Sequence, residues 1–508
     1  MKLSLAVFAV AVGLSPLVPL GAAHAQFHPD FTAATPAEPL GLDDLIARDP
    51  ESSRVVINNI EESLWKFGPD GKPVPNLADW DVSADGKVIT FHLKHGVKFT
   101  TGGEMTSADV MWSYQRGMKG SQFFPRDMRY VEKVEAPDPY TFRITFKQPD
   151  VDFFNRMPLY ILSKAHYDKV GEKDFINDPG GTGPYAVVDY KLGQYIDLKA
   201  FPDYHGKQPP VKSARIYFIK DNNTRVAKLK SGEVDLITNT PYGDVASLKK
   251  AGFHTVSLAA NPSISIEFNF ANKNAPWSKL KVREAIAHAI DTKSMIKNLF
   301  AGIPEHYPRF AEGEPGYDPS LKNYSYDPAL AKTLLAEAGY PNGFTMPLYY
   351  LGPPFTGIKE TAEAVTLYLA QVGIKCQPQE KDIVQVLDLL HKAKTDPKAE
   401  FVAITNKPFA NTGISALTGL TMSFESTRPF SIYNTPEIDK FIKDASAELD
   451  PDKRAAILRQ AANVLQDEVP TIVLWDTVAV YTMKPTVDYR PIQHRGAYLA
   501  LEDVSVKK

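Results

Sequence analysis

Ile264-Ser265-Ile266-Glu267-Phe268-Asn269-Phe270 stands near the middle of a 508-residue chain, and Thr471-Ile472-Val473-Leu474-Trp475 stands close to its end. Both stretches are apolar, rich in β-branched or aromatic residues, and read as strands. Two extended segments so far apart in sequence are what two crossings between a pair of lobes would look like. Chain length asks for the same arrangement, because a single core stops growing near about 300 residues. With 44% hydrophobic and 23% charged residues, the chain has the composition of an ordinary globular protein with a large core.

Ahead of the first crossing, β signals dominate. Asp70-Gly71 and Asp85-Gly86 are turn dipeptides. Val88-Ile89-Thr90-Phe91-His92-Leu93 alternates as a strand until Gly96 breaks it, and the turn Asp138-Pro139 leads into a strand over Tyr140–Phe146. Helices with readable starts are interspersed. Thr106-Ser107-Ala108-Asp109 has the form of a capping box, with Val110, Tyr114 and Met118 marking a face beyond it. Asp327-Pro328, Thr435-Pro436 and Asp450-Pro451 each place an N-cap before proline at the first helical position. Apolar stripes follow at Leu330, Leu334 and Leu335, at Ile438, Phe441 and Ile442, and at Ile457, Ala461, Val464 and Leu465. Gly339 is placed to close the first of these helices. Asn222 and Asn223 read as the start of a helix carrying Val226 and Leu229. Strands mixed with helices from end to end predict α/β lobes.

The chain opens as an export leader. Lys2 gives a positive start, Leu5 to Leu20 an apolar run, and Ala23-His24-Ala25 a small-residue site for cleavage before Gln26. Pro16, Pro19 and Gly21 interrupt the run, which is short for a membrane span of about 20 residues. No later stretch is long and apolar enough to insert. Cys376 is the sole cysteine, so no disulfide forms within the chain, and it lies too far from the leader to be a lipidated first residue. A formal net charge of -3 lacks the basic excess that a nucleic-acid surface needs.

A series of segments resembles the dipeptide-, oligopeptide- and nickel-binding family of extracellular solute-binding proteins. It begins with Glu62-Ser63-Leu64-Trp65-Lys66-Phe67-Gly68-Pro69-Asp70-Gly71-Lys72 and Pro75-Asn76-Leu77-Ala78-Asp79-Trp80. Phe91-His92-Leu93-Lys94-His95-Gly96-Val97-Lys98-Phe99 and Thr106-Ser107-Ala108-Asp109-Val110 follow. Next come Gly181-Thr182-Gly183-Pro184-Tyr185, Asp203-Tyr204-His205-Gly206 and Lys228-Leu229-Lys230-Ser231-Gly232-Glu233-Val234-Asp235. Val282-Arg283-Glu284-Ala285-Ile286 and the Asp327-to-Gly339 helix complete it. The matches run in order across nearly all of the chain after the leader.

The resemblance implies a two-lobe periplasmic binding protein fold with an enlarged first lobe and two inter-lobe crossings. It divides the chain into a leader over 1–25, a first lobe over 26–262, a second lobe over 263–477, and a return to the first lobe over 478–508. It also implies hinge closure around a small ligand, docking on an ABC importer permease, a periplasmic location, no direct membrane insertion and a monomer.

In peptide binders of this family an aspartate loop after a second-lobe strand meets the ligand's amino group. The matching stretch here, residues 401–413, keeps the strand and lacks the acids, and Lys407 adds a positive charge. A buried ammonium without a counter-ion is costly, so recognition of a free peptide amine is not expected unless Glu425 or Asp476 takes the role. Lys359 and Arg428 are candidates for a ligand carboxylate. The ligand-facing residues expected from the resemblance are Glu62, Phe123, Phe124 and Arg129 in the first lobe. In the second they are Asn406, Phe409, Asn411, Trp475, Asp476 and Thr477. Core packing or a surface loop is the alternative for each.

Chemistry is conspicuous by what is missing. There is no Gly-x-Ser-x-Gly elbow, no His-Glu-x-x-His and no phosphate loop. His92 and His95 fall three apart on a strand and face opposite sides, so no metal site is expected, and no cofactor. A binding protein without catalysis is the leading reading. An exported hydrolase of short peptides or glycosides, or a presenter of ligand to a chemoreceptor, are the alternatives.

Overall fold

The computed structural model describes residues 27–46, 54–68, 72–121, 124–156, 159–304, 306, 309–310, 314–352, 357–407, 415–428, 431–433, 435–491 and 499–507. The leader, the Asp70-Gly71 turn and the candidates Phe123, Phe409 and Asn411 lie outside the described residues.

Among the described residues, ten strands form one continuous sheet. From edge to edge they are Pro378–Lys381, Leu348–Leu351, Val402–Lys407, His254–Phe268, Thr471–Met483, Leu236–Ile237, Phe31–Thr35, Ser213–Phe218, Tyr195–Ala200 and Tyr185–Lys191. The adjacent fourth and fifth strands, His254–Phe268 and Thr471–Met483, are the two crossings. They pair antiparallel from His254↔Met483 to Ala259↔Val478, and the register breaks before resuming at Ser263↔Asp476. Four residues advance on one strand while two advance on the other, which is a bulge. Pro262 falls inside it and has no N–H to donate to a ladder. A second shift follows between Ile264 and Ser265.

The crossing strands feed two cores, and the division is not strict, because Val480 joins the second core from among residues of the first. Ala479, Tyr481 and Met483 join the first core with Phe31, Ile196, Ile216 and Leu236. Ile264, Ile266, Phe268, Leu474 and Trp475 join the second with Val282, Leu348 and Val402. The fold is the two-lobe α/β arrangement. The first lobe is enlarged by a four-stranded antiparallel sheet, ordered Ala78–Val82, Val88–Leu93, Thr141–Phe146, Val131–Asp138, and by the helix Ser107–Gly120. Val487, Tyr489, Leu499, Leu501 and Val504 return to this core from the far end of the chain. A third cluster, built on the helices Ala416–Phe424, Pro436–Ala447 and Pro451–Glu468, extends the second lobe.

Local chemistry sets the helix starts. Thr106 and Asp109 form the capping box of helix Ser107–Gly120. Asp327, Thr435 and Asp450 each accept hydrogen bonds from the first turn beyond them, ahead of proline. Asn222 and Asn223 open their helix, with Asp221 as its cap. Two expected faces differ. Met118 and Leu330 are exposed, and the buried stripes run instead through Ser107, Val110, Ser113 and Gly117, and through Ala331 and Leu335. In both helices small side chains let the neighbouring layer approach, so size rather than hydropathy sets the inner face.

The Gly181-Thr182-Gly183 turn is held by close approach. A Cβ on Gly181 would lie 2.1 Å from the Ile60 carbonyl oxygen. The Gly183 N–H donates to that same oxygen at 3.1 Å. Hydrogen in place of a side chain lets the turn lie directly on the chain leading to Glu62.

Candidate functional site

The lobes meet where a short helix of the first, Phe124–Asp127, and the residues after it face the segment following helix Ala416–Phe424 of the second. Phe124 and Met128 are anchored in the first core, which leaves Arg126, Asp127 and Arg129 at the lobe surface. Arg129 forms an ion pair with Glu425 at 3.3 Å, and its guanidinium also lies over the Tyr130 ring. Arg428 pairs with Asp127 at 3.2 Å and with Glu425 at 3.2 Å. Four charges of alternating sign thus run from lobe to lobe: Asp127, Arg428, Glu425, Arg129.

A second contact lies beside them. Asp152 of the first lobe accepts hydrogen bonds from Ser415, at 2.5 Å, and from Thr418. These residues form the first turn of helix Ala416–Phe424, where a negative charge also meets the positive end of the helix dipole. Next to it the Val151 N–H donates to the Ser446 carbonyl at 3.2 Å. Asp150 is paired with buried Arg156, although burial still raises its carboxyl above the ordinary value.

Lys407, expected as a loop charge, ends strand Val402–Lys407 with its side chain buried, 3.0 Å from Glu267. The ammonium therefore has its counter-ion inside the lobe. Lys394, half-buried, donates to the Arg428 carbonyl. Burial, then the charges of Lys407 and Arg126, lower it to about 8.

The expected ligand residues are dispersed. Arg129 sits at the junction. Glu62 is buried within the first lobe, accepting from Thr182 at 3.0 Å, Tyr204 at 3.1 Å and His205 at 2.8 Å. Burial and the Glu62 charge push the Tyr204 phenol up. Phe124 packs edge-on to Tyr114 in the first core. Trp475 is 0% exposed; its ring packs against Phe300 and Tyr242, and its indole N–H donates to Thr361 at 3.0 Å. Asp476, next to it, accepts from Ser263 across the register break, and Thr477 and Asn406 are half-buried at the same level of the sheet.

Lys359 is exposed on helix Ile358–Gln371. The sequence reading did not single out Arg126, Asp127, Asp152 or Lys394. A run of Arg-Asp-x-Arg after an aromatic pair, at 126–129, is the signal that was there to be used.

His92, on strand Val88–Leu93, pairs with Asp81, whereas His95, expected on the same strand, lies beyond its end and stacks on Tyr140. Among the described residues no group of three or more His, Cys, Asp or Glu is placed to hold a metal ion, and no helix is long and apolar enough to cross a membrane. A pocket of about 440 Å³ beside Asp291, Lys293, His306 and Tyr324 lies in the second lobe, with no first-core residue in its lining.

Two α/β lobes, joined by two crossings and meeting through charged side chains, define a two-lobe binding protein. The chain belongs to the bacterial extracellular solute-binding proteins, family 5, whose middle region matches residues 72–397. It captures a small ligand and delivers it to an ABC importer. It is 29% identical to heme-binding protein A of Haemophilus influenzae, over 94% of this chain and 92% of that one. It is 31% identical to the glutathione-binding protein GsiB of Escherichia coli strain K12, over 91% of this chain and 93% of that one. The structure of DppA, an ABC transporter-associated periplasmic binding protein from Helicobacter pylori in complex with the peptide STSA, superposes with a TM-score of 0.82. It shares 24% identity and covers 94% of this chain and 98% of its own.

Proposed function

We propose that this chain is a non-catalytic periplasmic carrier, released by cleavage before Gln26 and working as a monomer, that closes on a small polar solute at the junction described above. The lobes divide at the register break, with residues 26–262 and 478–508 on one side and 263–477 on the other. The hinge is the pair of segments 259–263 and 476–478. The observation that carries this reading is the cross-lobe charge chain, Asp127 to Arg428 and Glu425 to Arg129. Such contacts exist when the lobes are shut. A solute that touches both walls adds to them, and that differential affinity shifts the population to the closed form.

The relatives' names span peptide, glutathione and heme. Here the loop that receives a peptide amine in the resembling family has no acid over 401–413. Glu425 is shared by two guanidiniums and Asp476 is engaged by Ser263. These features favour a solute that does not present a free amine to this wall.

The test is a thermal-shift screen of the chain from Gln26 against peptides, sugars, opines and metal chelates. A folded-state ligand raises the melting temperature by mass action. A concentration-dependent rise with the compound recovered unchanged is expected. Conversion of the compound during the assay would overturn the carrier in favour of an enzyme.

A further inference from the structure

We propose that a small cavity inside the second lobe, beside Arg309 and the first residues of the crossing strand Thr471–Met483, binds a halide ion, chloride foremost. The site lies away from the lobe junction and stands or falls independently of the carrier reading.

At its start the crossing strand has one neighbour. His254–Phe268 pairs with Thr471 and Val473 on one edge, while Leu236–Ile237 meets the other edge only at Thr482 and Met483. The carbonyls of Thr471 and Val473, two residues apart on the open edge, are met by side chains instead of by a strand. Arg309 Nη2 donates to the Thr471 carbonyl at 3.3 Å and to the Leu465 carbonyl at 2.7 Å, and its Nη1 donates to the Thr471 hydroxyl at 3.1 Å. His306 Nε2 donates to the Val473 carbonyl at 3.0 Å, so its Nδ1 accepts from the Thr292 hydroxyl at 3.2 Å. Guanidinium and imidazole thus lie side by side along the strand.

Every acceptor that Arg309 reaches is neutral. The side chain is 4% exposed, and among the described residues no carboxylate pairs with it. Its Nε is buried and finds no acceptor in the chain. Burial lowers its titration to about 10, which leaves it cationic at neutral pH. A buried charge without an opposite one is costly.

Arg309 and His306 line a cavity of about 20 Å³, room for about one water-sized particle. Asn323, which donates to the His306 carbonyl at 2.9 Å, and Tyr324, which donates to the Gln466 carbonyl at 2.9 Å, hold its walls. Arg309 and Lys322 make the lining positive, and among the described residues none of the lining is acidic. The cavity shares Thr292, His306, Asn323 and Tyr324 with the wider pocket of about 440 Å³, which supplies an approach from outside. Asp291 borders only that wider pocket, and its carboxylate is engaged in capping helix Thr292–Leu299 through the Ser294 N–H at 2.9 Å. A positive space of this size suits a monatomic anion, with a charge-assisted bond from Arg309, and excludes polyatomic ones. The ion would tie the Arg309 segment, the end of helix Pro451–Glu468 and the crossing strand together, so the second lobe becomes a halide-dependent assembly.

The experiment uses the chain from Gln26. Crystals soaked in sodium bromide, with diffraction collected at the bromine edge, are expected to show an anomalous peak within hydrogen-bonding distance of Arg309, lost in Arg309→Met. In solution at constant ionic strength, replacing gluconate by chloride or bromide should raise the melting temperature saturably, by at least about 2 °C. Arg309→Met should lose that rise. Gln466→Glu, a near-isosteric change that puts a carboxylate in the cavity wall, should lose it too, because the chain then carries its own anion, and it serves if Arg309→Met does not fold.

A missing bromide peak, or a halide response that survives in both variants as a general salt effect, would overturn the site. A peak without any thermal response would mark an adventitious ion only and overturn it equally. Glu305 and Glu312 are the acids of the adjoining stretches. Glu305→Gln and Glu312→Gln should each respond to halide as the wild type does. If either gains a response that the wild type lacks, a carboxylate of the chain is the counter-ion and the proposal falls.

Discussion

Arg129 of the first lobe and Glu425 of the second are an ion pair at 3.3 Å, and Arg428 shares the same carboxylate at 3.2 Å. Removing one partner of a buried charge group commonly costs about 3–5 kcal/mol, because the remaining charges are stranded. Here the hinge offers an escape, since opening the lobes rehydrates the arginines. Glu425→Gln is therefore expected to enlarge the radius of gyration in small-angle scattering and to weaken ligand binding by about tenfold. Its urea midpoint should change little. An unchanged scattering curve with a large fall in the midpoint would make the pair a structural brace instead.

Trp475 illustrates how the structure redirects an experiment. From sequence, Trp475→Ala is expected to lose ligand and keep stability. With the ring enclosed by Phe300 and Tyr242 and its N–H on Thr361, truncation opens a large cavity and removes one bond accepted by the Thr361 hydroxyl, which keeps its own donation to the Gly357 carbonyl. The expected cost is about 3–5 kcal/mol of unliganded stability. Denaturant unfolding of the unliganded protein measures it. A loss under about 1 kcal/mol with impaired binding would return the ring to the cleft.

The turn against Ile60 makes a sharper claim. Gly181→Ala places a methyl group 2.1 Å from a backbone oxygen, which no rotamer can relieve. The expected destabilisation is about 1–3 kcal/mol or more, read from the melting temperature. Glu62, whose partner Thr182 lies in that turn, should also move. An alanine variant that melts with the wild type would mean that the turn has room to shift.

His306 gives a pH dependence. Burial lowers it from the ordinary 6.5 to about 4 while its Nε2 contacts the Val473 carbonyl at 3.0 Å. Above pH 6.5 the ring is neutral in both states and contributes nothing to the slope. Between 6.5 and 4 the unfolded chain takes up a proton that the folded one refuses, so stability falls as pH falls through that window. The loss reaches about 3 kcal/mol at its lower end. Urea midpoints at pH 7 and pH 4.5 should differ less in His306→Gln than in the wild type. Equal differences would clear His306 of the effect.

What sequence made legible follows the range of each interaction. Caps such as Asp327 and Thr106 act over two or three residues, and they are read from sequence alone. The two crossing strands are legible as apolar runs, but their antiparallel pairing with each other, more than 200 residues apart, is not. Arg428 and Asp127 are separated by 301 residues, and nothing local in either announces the other. Lys407 drew attention as a stray charge because Glu267 reaches it across a strand pair that sequence does not display. Faces lined by Ala331 or Gly117 were missed because hydropathy ranks Leu330 and Met118 above them, whereas packing favours small side chains.

Thr471–Met483 lies between His254–Phe268 and Leu236–Ile237, in the middle of the sheet rather than at its rim. This order of assembly has a consequence for a chain made from its amino terminus. Until residue 483 is available, the first lobe's sheet ends at a two-residue strand and the second lobe's long strand has an open flank. Neither half can finish early and fold around an incomplete chain. Of the ten strands in this sheet Thr471–Met483 is the last to be made, so closing the sheet waits on pairings with strands more than 200 residues earlier, the kind of long-range contact that forms slowly.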